Sequence, residues 1–216
     1  MPVDIDKLAV FRIVPISNLE HNLTQGLHCK KDCPNTENFI AIGSKEIISQ
    51  RDRVKVKCYP DTVVNDYVPF YFSVRTPMLY NIVTGHNVPH YPQKNIIYLC
   101  FKLKELAIDD FQWCYTNGNA AKSITKFYTD LSHIDINVDW HSILTTDFRD
   151  SNADGDEDRI RKKHSEFLIK GYVPSLLIKT IVVLNNEKKD EVQKILDKTG
   201  MNIQIKINPN SKYYFT

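Results

Sequence analysis

Apolar runs that end at proline or at polar turn residues mark the strands of this chain. Residues 8–14 are rich in β-branched side chains and stop at Pro15, and residues 95–103 form an almost unbroken apolar run of strand length. A run without polar alternation is typical of a strand that is covered on both faces. Residues 178–184 and the alternating residues 202–207 predict two more strands. We therefore expect a sheet with buried central strands.

Helical spacing of apolar residues appears between these strands. A short helix is predicted between a Ser17 cap and a Gly26 stop, and a longer helix is predicted over residues 187–198. Residues 45–53 and 121–131 also favour helix. The combination predicts an α+β fold with more strand than helix.

Residues 66–80 concentrate aromatic, apolar and conformationally restricted residues more densely than any other part of the chain. Pro69 and Pro77 lack an N–H group, so we expect neither inside a helix or a central strand, and the run between them is predicted to be a short strand. One interpretation is a buried strand with an aromatic face. The other is an aromatic surface for a ligand, because Tyr71 and the planar cation of Arg75 suit a ring that is attached to phosphates, as in a nucleotide.

The size and charge of the chain limit the function classes that remain. With 216 residues, 42% of them hydrophobic, we predict one domain over residues 1–216. A net charge of +2, from 28 basic and 26 acidic side chains, gives no general attraction to nucleic acid, so such contacts require a local patch. No window approaches the roughly 18 apolar residues of a membrane span, and the first residues lack the features of a signal peptide. We expect a cytoplasmic protein with no membrane partner.

Two clusters raise the hypothesis of a bound metal. His28, Cys29 and Cys33 resemble half of a zinc site, but no second cluster completes it, and the 5 scattered cysteines fit unpaired thiols better. The acidic residues around Gly155 resemble a piece of a calcium loop without the spacing that such a loop requires. We therefore expect no metal.

Charged side chains dominate residues 139–161. This composition is typical of a mobile loop, and we interpret it as a flexible lid. Glu166 lies where the charged segment becomes an apolar strand, and on its own it is interpreted as a solvent-facing residue at a strand edge. A separate basic group is either a solvated face or a phosphate-binding patch. It comprises Arg51, Arg53, Lys55 and Lys57.

Several motifs together resemble one known family. The longest is the run Asp66-Tyr67-Val68-Pro69-Phe70-Tyr71-Phe72, followed by Pro77-Met78-Leu79 and Gly85. The others are Phe11-Arg12-Ile13-Val14 with Asn18-Leu19, Gly26-Leu27-His28-Cys29, Asn38-Phe39-Ile40-Ala41-Ile42-Gly43 leading to Arg51, Glu166-Phe167-Leu168-Ile169 and Tyr213-Tyr214-Phe215. On these motifs the chain resembles, over nearly its whole length, the DarT family of DNA ADP-ribosyltransferase toxins from bacterial DarT–DarG toxin–antitoxin systems.

The resemblance implies a compact ADP-ribosyltransferase fold, with a split, bent β core flanked by helices, that holds NAD+ as co-substrate. It places an NAD+-binding element at residues 31–51 and a substrate-recognition lid at residues 117–166. Glu166 and Arg51 take the catalytic positions. The implied NAD+-binding residues are Arg12, Ile13, Val14, Asn18, Leu27, Arg51, Tyr71, Phe72 and Met78. The expected contacts to single-stranded DNA are Arg75, Arg149, Arg159, Arg161 and Lys163.

The implied reaction moves ADP-ribose from NAD+ to a base in single-stranded DNA, with thymidine as the expected acceptor, and releases nicotinamide. Glu166 would stabilise the positive charge that builds on the ribose, and Arg12 would hold the pyrophosphate. Because a guanidinium has no lone pair, we assign Arg51 to negative charge on the base carbonyl or on a phosphate. Proton removal from the base then falls to Glu166 or water. A DarG-like macrodomain antitoxin is the expected protein partner.

One departure from the family concerns the acceptor. Relatives often carry Thr-Asp-x-His-Ala where this chain has Thr116-Asn117-Gly118-Asn119-Ala120, which leaves the base preference and the DNA motif open. Two other functions are compatible with the residues. One is an ADP-ribosyltransferase that acts on RNA or protein. The other is a non-catalytic nucleic-acid-binding module in which Glu166 and Arg51 are structural.

Overall fold

An α+β fold is built on one large sheet. The computed structural model describes residues 3–33 and 39–215. Its strands are β1 (Ala9–Pro15), β2 (Leu27–His28), β3 (Lys55–Val56), β4 (Tyr59–Val63), β5 (Tyr67–Tyr71), β6 (Ile96–Lys102), β7 (Trp113–Thr116), β8 (Phe127–Tyr128), β9 (Glu166–Lys170), β10 (Tyr172–Val173), β11 (Thr180–Val183) and β12 (Gln204–Ile207). Its helices are α1 (Leu19–Gln25), α2 (Lys45–Arg51), α3 (Pro77–Thr84), α4 (Leu103–Leu106), α5 (Ile134–Asn137), α6 (Trp140–Leu144), α7 (Arg159–Lys163) and α8 (Asn186–Thr199).

The large sheet has the strand order β12-β11-β6-β1-β5-β9-β7-β8. β1 pairs with β6 along the whole of β1, and β5 pairs with β9 along the whole of β5. Between these two ladders, β1 and β5 meet only where Phe11 pairs with Tyr71. The sheet is therefore divided into two halves that join at one point.

Arg12 and Pro69 explain where the sheet divides. The Arg12 guanidinium donates a hydrogen bond of 2.9 Å to the Pro69 carbonyl, where backbone pairing between β1 and β5 is absent. In an antiparallel ladder the N–H and C=O of one residue point toward the same neighbour, so the missing N–H of Pro69 also faces this gap. The prediction that Pro69 stays out of a central strand is therefore wrong. Because the sheet is split here, no backbone acceptor of β1 lies opposite Pro69, and its missing N–H breaks no hydrogen bond.

Apolar clusters cover both faces of the sheet. β6 alternates between them, as its predicted burial on both faces requires. On one face Leu99 of β6 joins Leu19 of α1 and Val192 of α8. On the other face Tyr98 of β6 joins Leu79 of α3 and residues at the end of the chain. The prediction of a strand covered on both sides is confirmed.

Most of the predicted elements are confirmed, but residues 121–131 do not form a helix. They contain β8 and turns that side chains hold in place. The Asn117 amide oxygen accepts from the N–H of Lys126 at 2.9 Å, and the Thr125 hydroxyl donates to the Asn119 carbonyl at 2.7 Å. Such local side-chain bonds compete with helical bonding, and here they outweigh the helical spacing of apolar residues.

The starts of two helices also correct the sequence predictions. Ser17 does not cap α1, because it lies inside a 3-10 turn, Ile16–Asn18, and Asn18 takes the position before the helix. Pro77 is the first residue of α3, where a backbone N–H has no helical partner, and the Thr76 hydroxyl caps that helix.

The buried hydroxyl of Tyr214 allows a test of the cluster beneath α3. Its oxygen lies 3.0 Å from the Ile96 carbonyl oxygen and 2.9 Å from the Val182 carbonyl oxygen, and the two carbonyls share its one hydrogen. Tyr214→Phe removes this donor from two neighbouring strands, so we expect the free energy of unfolding in urea to fall by about 1–2 kcal/mol. The exposed Tyr80→Phe serves as the control. An equal loss in both variants would contradict the structural role of the buried hydroxyl.

Candidate active site

A cavity of about 550 Å³ opens where the sheet divides. Its walls come from the end of β1, from α1 and the residues that follow it, from residues 39–48, and from β5 and α3. Arg12, Pro69 and Tyr71 surround the single contact between β1 and β5, and all three line the cavity. The split in the sheet therefore provides the space for a ligand.

Most of the residues expected to bind NAD+ line this cavity. They are Arg12, Ile13, Val14, Asn18, Leu27, Arg51, Tyr71 and Met78. The exception is Phe72, whose ring is buried and packs edge-on against Trp140 at a centroid distance of 5.6 Å. Successive side chains of an extended chain point to opposite faces, so Tyr71 faces the cavity and Phe72 faces the core. We therefore correct the prediction for Phe72.

The predicted NAD+-binding element forms one wall of the cavity. The Asn18 amide accepts from the Ile40 N–H at 3.0 Å and donates to the Ile40 carbonyl at 2.8 Å, which fixes this wall to the start of α1. The Ser44 hydroxyl then caps α2, the helix that ends with Arg51. Residues 34–38 of the predicted element lie outside the described part of the chain. The bridging bonds of Asn18 had no signal in the sequence.

Arg51 and Glu166 form a bidentate ion pair beside the cavity. Arg51 Nη1 and Nη2 donate to the two carboxylate oxygens of Glu166 at 3.1 and 2.9 Å, and the Ala120 N–H donates a third bond of 3.1 Å. The Arg51 side chain is 11% exposed and the Glu166 side chain 2%, so bulk water barely reaches the pair. The interpretation of Glu166 as a solvent-facing residue is therefore wrong. The structure brings the two residues of the implied catalytic pair together.

Burial and mutual charge set the ionisation of the groups around this pair. Burial acts to lower the pKa of Arg51, but the charge and hydrogen bonds of Glu166 outweigh it and raise that pKa above its ordinary value. Burial lowers the pKa of Arg12, and burial followed by the nearby Glu166 carboxylate raises the pKa of Tyr71. Two guanidinium groups thus accompany one carboxylate. The excess positive charge suits an anionic ligand such as a pyrophosphate.

The turn after β7 holds Glu166 through its backbone. The buried Thr116 hydroxyl accepts from the Glu166 N–H at 3.0 Å and donates to the Gly118 carbonyl at 2.7 Å. Together with the bond from Ala120, these contacts fix both the main chain and the carboxylate of Glu166. Residues 116–120, which depart from the family pattern, therefore position the candidate catalytic residue. Backbone atoms make part of these contacts, so the sequence of side chains does not reveal them.

The charged segment before Glu166, interpreted from its composition as a flexible lid, carries a network of ion pairs within the described residues. Asp154 pairs with Arg159, and Asp156 pairs with Lys162 at 2.8 Å. The Asp158 carboxylate pairs with Arg161 inside the turn of α7. Because each of these carboxylates has a cation beside it, the segment is held between α6 and α7.

Two of the expected DNA contacts, Arg159 and Lys163, lie inside the protein. The Arg159 side chain is 3% exposed and is occupied by Asp154. The Lys163 amine donates to the carbonyls of Ile143 and Thr145 at 2.6 and 2.5 Å, and burial lowers the pKa of Lys163 to about 8. Neither side chain presents its charge to a polymer at the surface, so we correct the prediction for both.

The other three expected DNA contacts lie nearer the surface. Arg149 is largely exposed and forms an ion pair of 2.9 Å with Asp147. Arg161 is mostly covered and packs over Gly118, in space that a Cβ atom at that position would occupy. Arg75 is half-buried with a φ of +48°. The structure thus leaves Arg149 as the most accessible of the five predicted cations.

Neither a metal centre nor a membrane span emerges from residues 3–33 and 39–215. No group of at least three His, Cys, Asp or Glu side chains in these ranges could hold a metal ion. Within the same residues, every helix is too short or too polar to cross a membrane. The cysteines at positions 29, 33, 58, 100 and 114 are free thiols.

Comparison with known proteins gives consistent matches. A family model described as "ssDNA thymidine ADP-ribosyltransferase, DarT" matches residues 11–215. A curated DNA ADP-ribosyl transferase from Escherichia coli O127:H6 is 30% identical over 211 residues, which cover 97% of this chain and 94% of that protein. The structure of Thermus sp. 2.9 DarT in complex with ADP-ribosylated ssDNA has a TM-score of 0.85 at 26% identity, with 96% of each chain covered. The complex of the same protein with NAD+ has a TM-score of 0.81 at 25% identity, with 96% of this chain and 98% of that chain covered.

A double-mutant cycle tests the buried ion pair. Arg51→Ala leaves the Glu166 carboxylate buried without its counter-charge, so we expect the free energy of unfolding to fall by about 3–5 kcal/mol. Adding Glu166→Gln removes the unpaired charge and keeps an oxygen that accepts from Ala120, so the double variant should be more stable than Arg51→Ala alone. Urea denaturation of the four proteins measures the coupling energy. Strictly additive losses would contradict a coupled pair.

The buried amine of Lys163 predicts a pH-dependent stability. Its pKa of about 8 lies below the ordinary value of 10.5, so the unfolded chain binds more protons between these pH values and stability rises with pH there. Relative to Lys163→Met, the wild-type protein should gain about 2.5 kcal/mol of unfolding free energy from pH 8 to pH 10.5. Urea denaturation at a series of pH values measures it, with the exposed Lys189→Met as control. The same pH dependence in wild type and Lys163→Met would refute the prediction.

Proposed function

Because the chain belongs to the DarT family, we propose that it transfers ADP-ribose from NAD+ to thymidine in single-stranded DNA and releases nicotinamide. The observation that carries this proposal is the buried Arg51–Glu166 pair at the edge of the cavity between β1 and β5. A carboxylate beside a cavity of this size, with guanidinium groups around it, has the parts that a nucleotide glycosyl transfer requires.

NAD+ occupies the cavity as co-substrate. Arg12 reaches it from β1, with its guanidinium held in place by the bond to the Pro69 carbonyl. A guanidinium carries several donors in a fixed plane, so those not used by Pro69 bind the pyrophosphate. The apolar side chains of Ile13, Val14 and Met78 contact the rings. Tyr71 closes this wall where the sheet divides.

Glu166 acts on the nicotinamide ribose. When the bond between ribose C1′ and the nicotinamide nitrogen breaks, positive charge develops on the ribose, and a preorganised carboxylate in a water-poor site stabilises that charge. The bonds from Arg51 and Ala120 fix the orientation of the carboxylate before substrate binds. The nicotinamide nitrogen is replaced at C1′ by a nitrogen of the acceptor base, so the reaction is a glycosyl transfer.

Arg51 has two roles: it pairs with Glu166, and it stabilises charge on the acceptor base. A guanidinium has no lone pair and stays protonated, so Arg51 does not remove a proton. Its charge stabilises the negative charge that develops on a carbonyl oxygen of the base as that base becomes nucleophilic. Arg51 lines the cavity and contacts Glu166, which places it between the two reaction partners.

Single-stranded DNA approaches from the side of the turn after β7 and of the ion-paired segment. Arg149 supplies an accessible charge there, and Arg75 and Arg161 supply partly covered ones. Arg159 and Lys163 hold the segment together rather than contacting the strand. With only a few accessible cations, the affinity for DNA should depend on stacking as well as on phosphate contacts.

We further propose the cellular setting that the family resemblance implies. The protein acts as a toxin in the cytoplasm, where modification of thymidine in exposed single strands blocks replication. A DarG-like macrodomain antitoxin counteracts it. An ADP-ribosyltransferase that uses RNA or protein as acceptor shares the same cavity and ion pair, and it is the second candidate.

Mass spectrometry of a mixed-sequence single-stranded oligonucleotide, incubated with the protein and NAD+, tests the proposed function. Wild type should add the mass of one ADP-ribose, and fragmentation should locate it on thymine. Glu166→Gln should slow this transfer at least about 100-fold, because it removes the charge that stabilises the transition state. The exposed Glu187→Gln on α8 is the matched control and should keep wild-type activity.

Each other outcome identifies a different function. Nicotinamide release without a DNA adduct would move the acceptor to RNA or protein, which parallel incubations with radiolabelled NAD+ would detect. An absence of nicotinamide release with every polymer would leave only the non-catalytic module.

A further inference from the structure

His164 is a buried imidazole that the reaction described above leaves unused. It lies between α7 and β9, two residues before Glu166, and is 7% exposed. Its ring packs against that of Tyr71, with the ring centroids 6.2 Å apart and the planes inclined by 56°. An imidazole this near to the candidate catalytic carboxylate requires an explanation.

The hydrogen bond of His164 fixes its tautomer. Nδ1 lies 2.9 Å from the carbonyl oxygen of Ile160, which can only accept, so Nδ1 carries the hydrogen. In the neutral ring, Nε2 then bears a free lone pair. No donor within residues 3–33 and 39–215 bonds to Nε2 of His164.

Burial keeps this lone pair free near neutral pH. Burial lowers the pKa of His164 below its ordinary value of 6.5. The Glu166 carboxylate on β9 opposes this change, whereas the cations of Arg51 on α2 and Lys122 on the turn after β7 reinforce it. Tyr71 of β5 faces the ring as a neutral phenol, because its own pKa is raised. The imidazole is thus neutral under conditions in which Glu166 is paired with Arg51.

His164 lies next to the reacting groups. Arg51 and Tyr71 line the cavity, but His164 does not. Its neighbours are the ring of Tyr71, the charges of Arg51 and Glu166, and Lys122 from the segment in which we expect substrate recognition. The ring is therefore close to both the candidate catalytic carboxylate and the expected recognition segment.

We propose that Nε2 of His164 is the general base that removes the N3 proton of the acceptor thymine. The N3–H bond breaks and the proton passes to Nε2, while the N3 electron pair forms the new bond to ribose C1′. The bond from C1′ to nicotinamide breaks, its electron pair leaves with neutral nicotinamide, and the imidazolium later releases the proton to water. The proposal rests on the proposed function and adds a catalytic residue to it.

The other groups at the site are less suited to this step. Arg51 has no lone pair to offer. Glu166 accepts hydrogen bonds from Arg51 and Ala120, and protonation would cancel the charge that stabilises the ribose. A neutral imidazole has a free lone pair and accepts the proton without removing that charge.

His164→Asn tests the proposal, because an Asn amide nitrogen retains a donor for the Ile160 carbonyl but has no basic nitrogen. Single-turnover transfer to DNA should fall about 100-fold, while the Kd for NAD+ should change by less than about threefold. The exposed His86→Gln is the control and should match wild type. DNA transfer by His164→Asn at the wild-type rate would overturn the inference. An absence of any adduct with wild type would instead remove the proposed function, and this inference with it.

A pair of acceptors separates a catalytic base from a structural histidine. Oligonucleotides with 2′-deoxyuridine or 5-fluoro-2′-deoxyuridine at the modified position have the same shape, but fluorine makes N3–H more acidic. The defect of His164→Asn should shrink at least about fivefold with the fluorinated base, since a more acidic N–H needs less help from a base. An equal defect with both acceptors would overturn the proposal.

Wild type provides the same test if His164→Asn does not fold. Acidification should slow transfer to 2′-deoxyuridine as His164 becomes protonated, and the effect should be smaller with the fluorinated acceptor. Identical acid limbs for the two acceptors would contradict a role for the imidazole in proton removal.

Discussion

The rest of the site depends on the buried ion pair of Arg51 and Glu166. Removing two charges from water costs several kcal/mol for each ion, and the attraction between them offsets this only when the geometry is good and the remaining hydrogen-bonding positions are filled. Both conditions hold here, because the contact is bidentate and the Ala120 N–H supplies a third bond to the carboxylate. The pair ties the end of α2, the turn after β7 and the start of β9 to one place, although these segments are far apart in the sequence.

A second constraint, the split between β1 and β5, determines what lies beside the pair. A continuous ladder would leave no space between these strands, and their divergence leaves the Pro69 carbonyl without a backbone donor from β1. The guanidinium of Arg12 fills that position through its bond to Pro69. The charged residue in an apolar strand therefore has a structural reason, and it also lines the cavity. The same gap exposes Tyr71 to the cavity, so the backbone defect and the site have one origin.

The sequence predicted the regular parts of this arrangement and missed the contacts between distant segments. The apolar run of β6 and the apolar face of α8 carry their own periodicity, and Glu166 stands where a charged segment meets an apolar strand. The resemblance to a family supplied the catalytic positions of Glu166 and Arg51, but the ion pair between them came from the structure. The roles of Thr116 and Ala120 could not be predicted, because they depend on backbone atoms and on proximity across the sheet. For Phe72 the signal was present, because successive side chains of an extended chain point to opposite faces and Tyr71 faces the cavity.

The charged segment before Glu166 packs against the turn that holds the candidate catalytic carboxylate. Its acidic residues would repel DNA if they were free, but Asp154, Asp156 and Asp158 each have a cation beside them. Exposed ion pairs contribute little to stability, whereas these pairs are partly buried and lock α7 into one orientation. Arg161 of α7 packs over Gly118, in the turn whose Ala120 N–H bonds Glu166. Any movement of α7 would therefore disturb the turn that holds the carboxylate. These contacts tie the position of the charged segment to the alignment of Glu166.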